Sequence, residues 1–182
     1  MFKTFGSWVY PTSVRISLCN FLKLFPKEAK VLDIGAGTGM LCEFAYACRQ
    51  DLQYTAIDPS EGMLKYTQAY IETHQAVAEA LPFEESSFEA AMMGESLHHF
   101  SNVDDALDEC VRILANRGRL FIYDFDVDSF MGKTICKGEK LLGEPGHFFT
   151  PTDLKEKLAT YGFTATITKH AWRYTIVAEL EK

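Results

Sequence analysis

The stretch Val31-Leu32-Asp33-Ile34-Gly35-Ala36-Gly37-Thr38-Gly39 decides the fold of this chain. It runs from a short apolar strand through an acid into alternating glycines, and then into a helix beginning near Gly39. Alternating glycines let a backbone turn sharply and pass close to a ligand, because no side chain stands in the way. The helix that follows starts with amides that lack partners inside it, and these favour a carboxylate or phosphate. A second acid, Asp58, ends the next strand, one strand-helix-strand unit later. Two acids and a glycine loop at successive strand ends describe a crevice at the carboxyl edge of a parallel sheet, suited to a nucleoside-containing ligand.

The elements around this stretch follow the same alternation. Residues 12–25 read as a helix with Ile16, Leu18, Phe21, Leu22 and Phe25 on its apolar side, ended by Pro26. Strands are expected over 30–34 and roughly 52–58. Pro59 and Ser60 suit the first turn and cap of a helix carrying Met63, Leu64 and Tyr70. A short strand near 74–78 comes next, then a strand from Phe88 to Met93 ending at Gly94, and a helix near 103–115. Asn116-Arg117-Gly118 reads as a turn, and 119–125 is the most continuous apolar strand, as expected at a sheet centre. A helix over 131–142 interrupts the irregular stretch 127–149, and another covers 151–161. The strands 163–169 and 171–179 leave no room for a crossover helix and must pair antiparallel. The fold class expected is α/β: a Rossmann-like, mostly parallel central sheet with helices on both faces and a C-terminal antiparallel β-hairpin. The length of 182 residues suits a single domain over 1–182.

Composition narrows the partners. The net charge of −7 disfavours nucleic acid and anionic membranes for the chain as a whole, although a local basic patch is compatible with it. Met1-Phe2-Lys3-Thr4 is not followed by the apolar run of a signal peptide, and no stretch reaches the length of a membrane span. The five cysteines, Cys19, Cys42, Cys48, Cys110 and Cys136, match no zinc or iron–sulfur spacing. They read as reduced packing residues of a cytoplasmic protein.

Several motifs fall in one order along the chain. The glycine stretch is followed by Ala80-Leu81-Pro82-Phe83 and Ser87-Phe88-Glu89, then Leu97-His98-His99-Phe100, then Arg112-Ile113-Leu114 and Arg117-Gly118-Arg119-Leu120. In this order they resemble the class I, Rossmann-like S-adenosylmethionine-dependent methyltransferases, and within them the small-molecule group called methyltransferase type 11. The resemblance covers residues 30–125 closely and 145–180 loosely. It implies methyl transfer from S-adenosylmethionine to a small-molecule acceptor by direct displacement, with S-adenosylhomocysteine as product. Gly35, Ala36 and Gly37 would pass beneath the methionine part of the cofactor, and Asp33 would receive its amino group. Asp58 would take the ribose hydroxyls, with Pro59 beside it, and Met63 would lie against the adenine. Glu79, Ala80 and Leu81 would border the adenine edge, and Gly94 and Glu95 the methionine end. Val77 stands where many relatives carry an aspartate for the adenine amino group.

The same residues admit other readings. A dinucleotide oxidoreductase needs a third glycine where this chain has Met40, and Asp33 would oppose a pyrophosphate. His98 and His99 are adjacent and lack the helical i, i+4 spacing that grips zinc, so no metal is expected. The acids Glu95, Asp124 and Asp126 match a magnesium site poorly; Asp124 or Asp126 is expected to orient a polar acceptor. Catalysis can rest on holding nucleophile, methyl carbon and sulfur in line. Where a base is needed, His98 is the first candidate and His147 the second. Phe5, Trp8, Tyr10, Phe130, Phe148 and Phe149 are candidates to cover the cleft, since aromatic faces suit a sulfonium. Lys133, Lys137 and Lys140 read as a solvated helix face, with an anionic acceptor as the sharper reading. The Asn/Asp-Pro-Pro-aromatic turn of base-methylating enzymes is replaced by Gly94-Glu95-Ser96-Leu97, so no nucleic acid partner is expected. So little inserted material is present that a homodimer is one way to complete the acceptor pocket. The alternatives kept are a cofactor-binding, non-catalytic partner protein and a protein or RNA methyltransferase.

Overall fold

Helix α1 (Thr12–Leu22) follows Pro11 and buries Val14, Leu18, Phe21 and Leu22. That is the i, i+4, i+7, i+8 spacing of one apolar stripe. A computed structural model describes residues 9–142 and 146–181. After α1 come β1 (Lys30–Ile34), α2 (Met40–Cys48), β2 (Gln53–Asp58), α3 (Glu61–Leu64) and β3 (Glu72–Gln75). Then come β4 (Phe88–Gly94), a 3-10 turn at Leu97–His99, α4 (Val103–Ile113), β5 (Leu114–Phe125) and α5 (Phe130–Leu142). The chain closes with α6 (Pro151–Thr160), β6 (Phe163–His170) and β7 (Arg173–Leu180). Three helix starts are held by side chains that accept backbone amides: Ser60 at α3, Asn102 at α4 and Thr150 at α6. Each such cap contributes about 1 kcal/mol.

The seven strands lie in the order β3-β2-β1-β4-β5-β7-β6. The first five run parallel, and β7 pairs antiparallel with both β5 and β6. The expected architecture is therefore present. One face of the sheet packs Ala106, Leu107 and Cys110 of α4 and Leu154 and Leu158 of α6 against Leu32, Ala91 and Ile122. The other packs Leu18 and Phe21 of α1 and Leu41 and Ala45 of α2 against Val31, Met92 and Phe121. Covered on both faces, β1 and β4 are buried at most positions instead of alternating.

Some boundaries differ from expectation for identifiable reasons. Helix α1 stops at Leu22 because Arg49 takes the carbonyls of Leu22 and Phe25 while its guanidinium also binds Asp51. Helix α4 runs straight into β5, so no separate turn forms at 116–118. A register shift opposite Phe88 and a positive φ at Arg117 absorb the change of direction. Helix α3 is one turn, and Tyr66 beyond it is exposed.

The cysteine reading is corrected. Cys19 and Cys48 form a disulfide between α1 and α2, with Cα atoms 5.4 Å apart. The two helices lie side by side on one sheet face, a neighbourhood that spacing along the chain does not reveal. A bridge over 29 positions contributes about 3–4 kcal/mol in the chain-entropy picture. Cys42 and Cys110 are buried thiols, as expected. Among the described residues, no helix is long and apolar enough to cross a membrane.

Candidate functional site

Strand β1 is where the sheet reverses its order: the chain leaves it toward β2 on one side and returns to β4 on the other. Connections diverge there, and a crevice opens above the carboxyl ends of β1 and β4. Two bonds hold its walls. The Ala36 amide donates to the Ile57 carbonyl at 2.9 Å, and the Ser96 hydroxyl donates to the Ile34 carbonyl at 2.8 Å. Gly35 sits between them at φ +70°, and a Cβ there would lie 2.6 Å from the Ser96 Cβ. Left-handed backbone and close approach both require glycine at this position.

Asp58 joins the loop to the next strand. Its Oδ2 accepts the Gly37 amide at 2.8 Å, and its Oδ1 accepts the Ser60 amide at 2.8 Å. A carboxylate has about four acceptor directions, so two remain for a diol. Met63, 43% exposed, places its methyl 3.5 Å from the position a Gly37 Cβ would take.

Asp33 is buried at the tip of β1, and neither carboxylate oxygen completes a hydrogen bond at normal geometry. Burial raises its pKa to about 7, against the opposite pull of the Cys42 thiol and amide. An acid left in this state is costly unless a cation or donor joins it. That makes the tip fit an amino group. Tyr10 closes the same end: its hydroxyl donates to the Gly94 carbonyl at 3.2 Å, and its ring packs between Phe44 and Tyr123. Burial, then Asp33 and Glu95, push the Tyr10 pKa well up.

The other end of the crevice is a cavity of about 80 Å³ lined by Gly35, Pro59, Val77, Glu79, His99 and Phe100. This is smaller than the roughly 300–1,000 Å³ typical of a small-molecule site. Val77 in its lining is an exposed side chain. The Glu79 carboxylate accepts the Asn102 amide, so it fastens the start of α4 while bordering the cavity. Ala80 lies in the turn behind, its amide on the Val77 carbonyl. A larger open groove of about 420 Å³, bounded by Leu24, Arg119, Val177 and Glu179, shares no residue with the crevice.

A second group of polar side chains gathers beyond β4 and β5. His98 Nδ1 lies 2.9 and 3.0 Å from the two oxygens of Asp124, and both residues are buried. With Nδ1 donating to the acid, Nε2 is the basic nitrogen of the neutral ring. The Phe125 amide also donates to Asp124 Oδ1. Phe125 and Phe148 pack on the imidazole, at 4.7 and 5.6 Å between centroids. Glu95 stands at φ +53°, with Oε1 2.6 Å from Nε of the buried Arg173. The two atoms are in contact but not aligned for a full hydrogen bond. Burial raises the Glu95 pKa to about 7 although Arg173 pulls it down. The guanidinium in turn lies 3.8 Å from the Trp172 ring centroid.

Of the residues expected from the sequence, Gly35, Pro59 and Glu79 line the small cavity, Ala36, Gly37 and Asp58 are tied together in the loop beside it, and Gly94, Asp33 and Glu95 lie close to Tyr10. Asp124, expected to orient an acceptor, instead grips His98. His147 does not join that pair: its side chain is exposed and helps to pull down the pKa of Asp104, while its amide donates to the His98 carbonyl. Phe130 points outward at 84% exposure and covers no cleft. Phe5 and Trp8 lie outside the described residues. Arg173 and Ser96 were not anticipated; the one signal for either is a lone arginine opening the last strand. Among the described residues, no group of three or more His, Cys, Asp or Glu has the geometry of a metal site.

Residues 32–122 match the family described as Methyltransferase domain. Over 114 residues the chain is 30% identical to malonyl-[acyl-carrier protein] O-methyltransferase of Methylococcus capsulatus, covering 59% of this chain and 42% of that protein. Over 110 residues it is 31% identical to demethylmenaquinone methyltransferase of Thermotoga maritima, covering 57% of this chain and 48% of that protein. The chain therefore spans less than half the length of these curated relatives. It superposes on the YcgJ protein of Bacillus subtilis with a TM-score of 0.75 at 17% identity, over 92% of this chain and 99% of the other, so the two share a fold.

Proposed function

This chain belongs to the methyltransferase domain family, with the class I S-adenosylmethionine-dependent fold, and from that premise we propose that it transfers a methyl group from S-adenosylmethionine to a small-molecule acceptor. The observation that carries the reading is the buried Asp33 carboxylate near the end of β1, with only the Cys42 thiol and amide close to it and neither bond well made. The Asp58 carboxylate stands at the neighbouring strand tip, tied to the same loop. A small molecule with an amino group and a diol is the ligand that would use both.

When bound, S-adenosylmethionine supplies a methyl group on a positively charged sulfur that leaves as a neutral thioether. The chain's own residues then have separable tasks. Asp33 holds the ammonium and Asp58 the ribose hydroxyls. Gly35, Ala36 and Gly37 let the backbone run beneath the ligand, and Pro59, Met63, Glu79 and Ala80 border the adenine. Gly94, Glu95 and Tyr10 enclose the methionine end and exclude water there. His98 accepts the proton of a hydroxyl or amine acceptor at Nε2, with Asp124 fixing its tautomer and orientation. His147 is the lesser candidate, because its ring lies on the outside. Relatives named for malonyl-[acyl-carrier protein] and for demethylmenaquinone support a small-molecule acceptor.

Native mass spectrometry of the purified protein tests the cofactor: retained S-adenosylmethionine or S-adenosylhomocysteine is expected. Calorimetry with S-adenosylhomocysteine should give saturable binding, and its absence at millimolar ligand overturns the reading. Val77, which cannot accept a hydrogen bond from an adenine amino group, favours one second reading, a cofactor-binding partner without turnover. Tight binding with no S-adenosylhomocysteine release across a broad acceptor screen selects it. The cytoplasmic location also belongs to this proposal. Thiol labelling of Cys19 and Cys48 in freshly lysed cells tests it: their bridge weighs against a reducing compartment, so open thiols support the location and a closed pair overturns it.

A further inference from the structure

Among the described large apolar side chains, the two most exposed lie on one helix: Leu141 at 91% and Phe130 at 84%, both on α5. They are eleven positions apart, which at 3.6 residues per turn returns to the same side within about 20°. Thr134 and Lys137 fall on the line between them and are exposed, Lys133 flanks it, and Met131 is 40% exposed. The opposite side of α5 is set by Gly132. This glycine is buried, and a Cβ on it would lie 2.0 Å from the Asp126 carbonyl oxygen. The helix therefore presses its glycine onto the body of the protein and turns the Phe130–Leu141 line away from it.

We propose that this outer face of α5 docks on an anionic lipid surface. Charge selects the occupant. The helix sequence carries three lysines against one acid, inside a chain of net charge −7. Lysine stems lie along apolar surface while their ammonium groups reach anionic headgroups, and Phe and Leu enter the acyl boundary. The remaining acidic surface is repelled, which confines contact to α5. A second copy of the chain fits this face less well. A helix of 13 residues is about 20 Å long, and a single strip of that length falls well short of the roughly 800 Å² per partner of a stable interface. Whole-chain charge argues against membranes, but that average conceals a local reversal of sign. Helix α5 begins shortly after the end of β5, where Asp124 holds His98. Docking would therefore set the acceptor side of the crevice toward the bilayer, a consequence that alone rests on the functional reading above.

Flotation of the whole chain with vesicles tests the docking without any assay of activity. Vesicles of phosphatidylcholine mixed with phosphatidylserine should carry at least about tenfold more protein than phosphatidylcholine alone, and high salt should abolish the difference. The double variants Phe130→Glu/Leu141→Glu and Lys133→Glu/Lys137→Glu should each fall to the level of neutral vesicles. Phe130→Trp, which keeps the apolar face, should shift its emission to the blue on anionic vesicles only. Equal flotation on both vesicle types, no flotation, or no blue shift overturns the proposal. So does sedimentation velocity showing that the wild-type chain self-associates through this face and that Phe130→Glu/Leu141→Glu dissociates it. S-adenosylhomocysteine binding unchanged in these variants separates failure of docking from failure of the cofactor site.

Discussion

The tips of β1 and β2 and the tips of β4, β5 and β7 border the same crevice but are built differently. The first is made of backbone: left-handed glycines, and amides turned toward Asp58. The second is made of buried side chains, with His98 on Asp124, and Glu95 against Arg173 stands where the two sides meet. A backbone site recognises what every reaction of a family shares. A side-chain site can be rewritten residue by residue to suit one acceptor. The contrast predicts that changes on one side should spare the function of the other.

The largest effect is expected at His98. His98→Gln should lower kcat by about 10²–10⁴-fold for a hydroxyl or amine acceptor found by screening. Affinity for S-adenosylhomocysteine in calorimetry should stay within about twofold, and parallel losses in both would erase the division between the halves. On the backbone side, Gly35→Ala meets an unfavourable φ and the Ser96 side chain together. It should cost about 2–4 kcal/mol of stability in chemical denaturation and abolish ligand binding. Asp58→Ala should weaken S-adenosylhomocysteine binding by about 1–3 kcal/mol, because donors lose a charged partner.

The smallest effect is the most diagnostic. With a folded pKa of about 7, Asp33 is mostly protonated at pH 6 and ionised at pH 8. S-adenosylhomocysteine should therefore bind about tenfold more tightly at pH 8 than at pH 6, and Asp33→Asn should flatten that profile. Stability runs the other way. An acid whose folded pKa is raised destabilises the fold once it ionises, so the ligand-free protein should lose stability as pH rises from about 4 through about 7. Glu95, also raised to about 7, adds to the same slope. A flat melting profile over that range would show that these acids already have partners.

The same division explains what could be read from the chain alone. The β1 tip lies within nine consecutive residues, 31–39, and glycine there has few uses besides left-handed turns. Its link to Asp58 spans only 21 positions. The mostly parallel sheet and the terminal hairpin followed from the alternation of strands and helices and from the missing crossover, whereas the strand order did not. The His98–Asp124 pair spans 26 positions, and Tyr10 reaches Gly94 across 84. Such partners are set by how strands stack, and no local spacing encodes them. Arg173 was invisible for that reason, and the Cys19–Cys48 bridge likewise depends on two helices sharing a sheet face. Asp124 was placed at the right edge but given the wrong partner, since an acid at a strand end does not announce which neighbour it will grip.

One detail of the loop has a thermodynamic consequence. Asp58 holds the Gly37 and Ser60 amides through bonds made wholly within the chain, so the cradle is shaped by the fold itself. The conformational entropy of ordering those turns is lost during folding instead of at each binding event. A ligand meeting such a preorganised cradle has only its own freedom to give up. Product can then leave without the loop having to unfold and re-form on every cycle.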